Sequence, residues 1–227
     1  MLSTSLGHAR IAYSIVEDGS ASDRPEGLHK LETFSHKPVA FMLLVHKTDI
    51  FEVTVTTSQL LEEADAVWTR SPGVVLGMRI GDCLPIAVLD EKTGIIALIH
   101  GGWKSLTGNI IDLTLNALKK AGSNPQDLQV WIGPSLRSCC NLAEGPITQA
   151  AFPEWQPYLK KEGEKTRIDL QGFAIAKLVA LGIPKSSIID SGECTYHDGR
   201  FFSHWRSKQT GNEHDNGRFV VGIWRET

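Results

Sequence analysis

The chain has 227 residues, 41% of them hydrophobic and 22% charged, with a formal net charge of -3. That is ample length for a buried core and an ordinary composition for a globular protein. No block of like charges is present, which excludes the electrostatic footprint of a nucleic-acid or anionic-membrane partner.

The N-terminal stretch lacks a basic segment followed by an apolar one, so no secretory signal is read there. The longest dense apolar run, residues 39–45, is far short of a membrane span. Four cysteines are present, Cys83, Cys139, Cys140 and Cys194. Without a signal, reduced thiols or metal ligands are expected rather than two disulfides. A cytoplasmic location follows. No repeat, Pro/Gly-rich linker or low-complexity tract divides the chain, which reads as one α/β domain of strands interleaved with helices over residues 1–227.

In chain order, residues 1–38 are weakly patterned, with a strand at 10–15 and loop over 17–32. Residues 41–45 form a buried strand with His46 at its C-terminal end, where a lone histidine is more often a hydrogen-bonded structural residue than a ligand. Residues 51–55 alternate like a half-buried strand. A further strand at 74–80 follows the Ser71-Pro72-Gly73 turn and delivers the chain to Gly81-Asp82-Cys83. There Asp82 stands as a candidate acid, base or orienting acceptor.

The next stretch, GDCLPIAVLDEKTGIIALIHGGWKSLTG, has the pattern of a β-hairpin. Two apolar runs flank a polar loop ending in Gly94, which suits a residue at positive φ. Pairing about that loop puts Cys83 opposite His100 or one step from it. Opposed side chains share a face with Cβ atoms about 4.5–5.5 Å apart, close enough for a thiolate and an imidazole to meet on one zinc ion.

After His100, two glycines permit a sharp turn into a helix. Leu106, Ile110, Leu113 and Ala117 recur at helical spacing until Gly122. The start of this helix is a place for an anion beside the Cys83/His100 pair, with Lys104 adding a point charge. Residues 128–132 form a strand, and Cys139-Cys140 follow in a loop where one sulfur is expected to approach the site or to serve as buried filler. Asp169 is an N-cap for a helix over 170–181 that ends before Gly182 and Pro184. Residues 201–206 read as a packed aromatic strand, residues 207–217 as a mobile loop, and residues 218–224 as a closing strand.

Several stretches together resemble one family: Val45-His46, ADAVWT at 64–69, GDCLP at 81–85, HGGWKS at 100–105, IGPSLRSCC at 132–140, IDL at 168–170 and CTYHDGRFFSHWR at 194–206. They are similar to the laccase-domain family, formerly labelled multicopper polyphenol oxidases, over roughly residues 40–224. The resemblance implies a layered sandwich of mixed β-sheets and α-helices, cysteine-hydrolase-like in outline. It also implies one zinc per chain on His46, Cys83 and His100. The activity it implies is purine nucleoside chemistry: phosphorolysis of adenosine, inosine, guanosine or methylthioadenosine, and deamination of adenosine. A bacterial branch implies a second reading, hydrolysis of a misincorporated peptidoglycan precursor, UDP-MurNAc-L-serine. A zinc-stabilised interaction domain is the non-enzymatic third. The eight histidines include no His-x-His pair, which argues against a multicopper redox centre.

Expected small-molecule partners are a nucleoside and phosphate. Lys104, Arg206 and Arg218 are the candidates for binding them, and Asp82 and Cys140 the candidates for proton transfer. Lys104 stands where the family commonly has arginine, and an ammonium lacks the planar fork that grips phosphate through two bonds. The family's N-terminal Asn-containing stretches are not recognisable in residues 1–38, and its terminal Thr-Gly-Arg is interrupted between Gly211 and Arg218.

Overall fold

The computed structural model describes residues 1–54 and 57–226. Two six-stranded sheets form its centre. The first runs, edge to edge, Leu2–Leu6, Ala9–Tyr13, Phe219–Arg225, Val75–Ile80, Val39–Met42 and Gln59–Leu61. The second runs Ile188–Asp190, Leu128–Ile132, Leu84–Asp90, Ile95–Gly101, Ala66–Thr69 and Ile50–Glu52. A three-stranded sheet, Leu142–Glu144, Lys165–Ile168 and Leu159–Glu162, is paired with neither and packs through Ile168 on the core beside the second.

Side-chain alternation along each strand sorts the apolar residues into three cores. Leu76, Met78 and Val221 of the first sheet meet Ala87, Leu89 and Leu98 of the second in the middle core. The opposite face of the second sheet, with Ile86, Val88 and Ile99, packs on Ile110, Leu115, Phe173 and Leu178 from two helices, Ile110–Lys120 and Leu170–Ala180. The outer face of the first sheet, with Val39, Phe41 and Val220, packs on Leu28 and Leu31 of a helix over Arg24–Ser35. The result is four layers, helix–sheet–sheet–helix, the mixed α/β sandwich expected. It also explains the unbroken apolar character of Leu84–Asp90 and Ile95–Gly101, which are buried at every position because both faces are covered.

The hairpin forms, with Gly94 at φ 72° in its loop, but its register pairs Pro85 with His100 and Leu84 with Gly101. Cys83 lies just outside the ladder, displaced by two residues from direct opposition to His100. A slip of two preserves the face, where a slip of one would reverse it, so Cys83 and His100 remain diagonal neighbours.

Four expectations are corrected. Residues 17–32 are not loop: the helix Arg24–Ser35 occupies much of them, with Pro25 in its first turn and His36 closing it in the left-handed region. The helix after His100 is two, Trp103–Thr107 and Ile110–Lys120, separated at Gly108 and the left-handed Asn109. Its buried stripe uses Ile110, Ile111, Leu115 and Leu118, while Leu113 is 44% exposed. Residues 201–217 are neither a strand nor a mobile loop. Phe201 and Phe202 are buried, Ser203 caps a helix over His204–Thr210 through the Arg206 N–H, and a 3-10 turn follows at Glu213–Asn216. The strand expected over 51–55 is Ile50–Glu52, and Val55 lies outside the described residues.

Close approach of the helix Arg24–Ser35 to the first sheet depends on missing side chains. A Cβ at Gly222 would lie 2.8 Å from Leu31 Cδ2 and 2.9 Å from Val75 Cγ1. Leu31 fills the space that the glycine leaves. Gly222→Ala is expected to destabilise the protein by about 1–3 kcal/mol through overpacking, and Leu31→Ala by about 2–5 kcal/mol through a cavity. Urea unfolding of the double variant should show a loss smaller than the sum, because the added methyl occupies the vacated volume.

Candidate functional site

Three chain segments bring His46, Cys83 and His100 together. His46 follows the strand Val39–Met42 and adopts φ 58°. Cys83 immediately precedes the strand Leu84–Asp90, and His100 stands near the end of Ile95–Gly101. One ligand atom from each lies within 4.8 Å of the others, and the two imidazoles meet edge to face with centroids 4.7 Å apart.

Asp65 fixes this arrangement. Its carboxylate is fully buried. Oδ1 lies 2.8 Å from His100 Nδ1 and accepts the His46 backbone N–H at 3.0 Å; Oδ2 accepts the Lys47 N–H at 2.7 Å. Donation from His100 Nδ1 leaves Nε2 as the lone-pair nitrogen. Burial opposes charge on His100, but Cys83 and Asp65 outweigh it and push the pKa up to about 9. Burial and the adjacent His100 lower that of His46. Only the neutral form of each ring binds a metal, so an ion on His100 Nε2 would displace the proton from that nitrogen.

Room for two converging rings comes from Gly102, where a Cβ would lie 2.9 Å from both His100 Cε1 and His46 Nδ1. Two imidazoles and one thiol are a donor set suited to a borderline-soft divalent ion. Three protein ligands leave a position for water or substrate.

Two contiguous cavities, of about 430 and 600 Å³, share Asp82, Cys83 and His204. The smaller is lined by the three metal-site residues together with Arg79 and Arg218. The larger has an aromatic wall, Trp103 and Trp205, facing Asn141, Glu144 and Gln149.

Asp82 stands at the junction. It accepts the Thr195 hydroxyl at 2.6 Å and the Trp205 N–H at 2.7 Å. Burial nonetheless holds its pKa above the usual carboxylate range. Arg218 donates to the carbonyls of Asn216 and Gly217, and its side chain lies over Gly81.

Three expected site residues are placed elsewhere. Lys104 is exposed, its ammonium 5.7 Å from the centroid of the Trp103 ring, and it lines neither cavity. The helix it sits in has only five residues. Arg206 also lines neither; its guanidinium donates to the carbonyls of Thr195, Tyr196 and Phe201 and to Asp215. Cys140 lies in a separate cluster with Cys139, Cys194 and His197.

Asp65, Arg79 and His204 were not singled out from sequence. An acid opening the apolar stretch 65–69 and an arginine inside the buried strand Val75–Ile80 are signals of the right kind, since a charge there needs a partner or a task.

The sequence matches the family described as multi-copper polyphenol oxidoreductase laccase over residues 22–226. The chain belongs to this family. Among its relatives are an adenosine deaminase from an unknown prokaryotic organism, 30% identical over 73% of this chain and 64% of its own length. Another is a purine nucleoside phosphorylase from Bacteroides thetaiotaomicron, 32% identical over 73% and 62%. A third, a purine nucleoside phosphorylase from Xylella fastidiosa, is 30% identical over 79% and 69%. The match therefore spans slightly less than two thirds of the first two relatives. The crystal structure of YlmD from Geobacillus stearothermophilus has the same fold, with a TM-score of 0.81 at 22% identity, covering 98% of this chain and 93% of that one. Among the described residues no helix is long and apolar enough to cross a membrane.

Asp65 positions both histidines, so Asp65→Asn is expected to weaken metal binding about 10–100-fold while leaving the three ligands in place. Competition with a chromogenic chelator measures this. Unchanged affinity in a folded variant would make the Asp65 contacts incidental.

Proposed function

We propose that this chain is a zinc-dependent enzyme of purine nucleosides, working where the two cavities meet. One observation carries the reading: Asp82 and Cys83 stand where an aromatic chamber meets the cationic one that also holds His46 and His100, which matches a base at one end of a substrate and an anion at the other. The names of its relatives, adenosine deaminase and purine nucleoside phosphorylase, support the same substrate class.

His46, Cys83 and His100 would hold the ion, and zinc in such a setting supplies Lewis acidity and activation of water near neutral pH. Trp103 and Trp205 offer faces for a purine, and stacking of a base on an aromatic side chain contributes about 1–3 kcal/mol. Arg79 and Arg218 line the smaller cavity, and their guanidiniums, which also donate to the carbonyls of Ala21 and Ser22 and of Asn216 and Gly217, would attract phosphate into it.

In phosphorolysis a phosphate oxygen forms a bond to C1′ of the ribose. The glycosidic C–N bond breaks, and the departing base takes a proton. Asp82, whose half-buried carboxyl keeps its proton more readily than a solvated one, is placed to supply it. In deamination water adds at C6 of adenine and ammonia leaves. The same side chain can carry a proton between the two.

Incubation of purified, metal-loaded protein with adenosine, inosine and guanosine, with and without phosphate, is expected to give inosine from adenosine and phosphate-dependent release of free base. Chromatography resolves the products. Asp82→Asn should lower kcat by roughly 10²–10⁴-fold with metal content unchanged. Arg218→Ala removes charge-assisted hydrogen bonds worth about 1.5–3 kcal/mol. It should raise the phosphate KM roughly ten- to a hundredfold and leave deamination nearly intact. Absence of all these products, with cleavage of UDP-MurNAc-L-serine instead, would replace this reading by the precursor-hydrolase one; inactivity on both would leave an interaction domain.

A further inference from the structure

A second group of soft ligands lies outside the cavities just described. Cys139 and Cys140 sit in the turn after the strand Leu128–Ile132; Cys194 and His197 sit in the loop after Ile188–Asp190. The two loops are joined at a bridge between Ser135 and Cys194. One ligand atom from each of the four residues lies within 4.8 Å of the other three.

The separations are informative. Cys139 Sγ is 3.5 Å from Cys140 Sγ, 3.8 Å from Cys194 Sγ and 3.8 Å from His197 Nδ1; Cys140 Sγ is 3.6 Å from His197 Nδ1. A tetrahedral ion with sulfur at ~2.3 Å and nitrogen at ~2.0–2.1 Å needs edges of roughly 3.8 Å between sulfurs and roughly 3.6 Å between sulfur and nitrogen. These four separations lie within a few tenths of an ångström of a tetrahedron's edges; Cys140 Sγ also lies 3.2 Å from His197 Nε2, and the two remaining pairs, Cys140–Cys194 and Cys194–His197, are within 4.8 Å. They are far too long for a disulfide, at about 2.05 Å.

We propose that Cys139, Cys140, Cys194 and His197 form a second metal centre, a closed Cys₃His site for a thiophilic divalent ion, tested here as Zn²⁺.

The loops are set for it before any ion arrives. The Cys140 and Asn141 N–H groups both donate to the Arg137 carbonyl at 2.9 Å. Arg137 itself grips Asp190 through two bonds of 2.7 and 2.5 Å. On the other loop, the Thr195 N–H donates to Ser135 O at 3.1 Å and the Asp198 N–H to Cys194 O at 2.9 Å. Little ordering entropy is left for binding to overcome.

Three thiolates crowd together only with a cation among them, and a bound ion would displace their protons.

Cys139 and His197 are exposed, and a bowl of about 310 Å³ opens the cluster to solvent, so the ion has an entry path. Four protein ligands leave no position for substrate, so the role is structural. Such an ion would staple together the loops that carry Asn141, on the wall of the larger cavity, and Thr195, which holds Asp82.

The test is stoichiometry under reducing conditions. Wild-type protein loaded with zinc and freed of loose ion is expected to hold two equivalents by elemental analysis. Cys83→Ala should hold one, through the second centre. Cys139→Ser and His197→Asn, both at exposed positions, should each lose one equivalent and keep the other. Cobalt loading of Cys83→Ala should give strong thiolate-to-metal charge-transfer bands that vanish in Cys83→Ala/Cys139→Ser, and zinc should raise the Tm of the first variant but not the second. Folded Cys83→Ala protein that holds no zinc and shows no charge-transfer band would overturn the proposal. So would alkylation of Cys139, Cys140 and Cys194 at a rate that zinc does not slow.

Discussion

The carboxylate of Asp65 is the contact on which the candidate site depends. Burial works against its ionisation, yet the hydrogen bond from His100 and the N–H groups of Lys47 and His46 hold it below the usual carboxylate range. It joins the segment after the strand Val39–Met42, which belongs to the first sheet, to the end of Ile95–Gly101, which belongs to the second. A buried anion with three donors of this kind is costly to leave half satisfied. The two sheets can therefore close properly only with the His100 ring and the backbone N–H groups of residues 46 and 47 in place. Stability of the sandwich and geometry of the candidate metal site are set by the same side chain.

Around that contact the site divides labour by layer. Apolar packing in the middle core fixes the hairpin, and the ends of the two sheets supply the polar residues where the cores run out. Asp82 illustrates how little freedom remains there: its carboxylate is held by the Thr195 hydroxyl and the Trp205 N–H, 113 and 123 positions further along the chain. A half-buried carboxyl with a raised pKa, placed between two cavities, is an arrangement found where proton transfer is needed.

The parts of this design that could be read from sequence are those with local physics. Cys83 and His100 were legible because the hairpin between them has a strict apolar pattern, and an error of two in register left their shared face intact. The helix Leu170–Ala180 was legible through its Asp169 cap, which accepts the Gly172 N–H. Asp65 was not, because its partner His100 is 35 positions away and nothing local marks the pairing. The helix Arg24–Ser35 escaped because it buries only a narrow stripe, Leu28 and Leu31, and has little amphipathic signal. In residues 201–217 an aromatic run outweighed two helix signals that were present, the Ser203 cap and the Gly211 stop. Arg206, expected at a substrate, is instead consumed by its own loop, a role only tertiary structure reveals.

The position of the strand Phe219–Arg225 carries a consequence for how the molecule is made. It lies between Ala9–Tyr13 and Val75–Ile80, at the heart of the first sheet, and it is preceded by Arg218 of the cationic cavity. On the ribosome its two neighbours emerge long before it does. Until it inserts, they present unpaired edges to their surroundings, and such edges invite pairing with other chains. Closing contacts so distant in sequence also slows folding. The interval between synthesis of the second sheet and insertion of this last strand is therefore the period when the nascent protein is most exposed to aggregation and most in need of a chaperone.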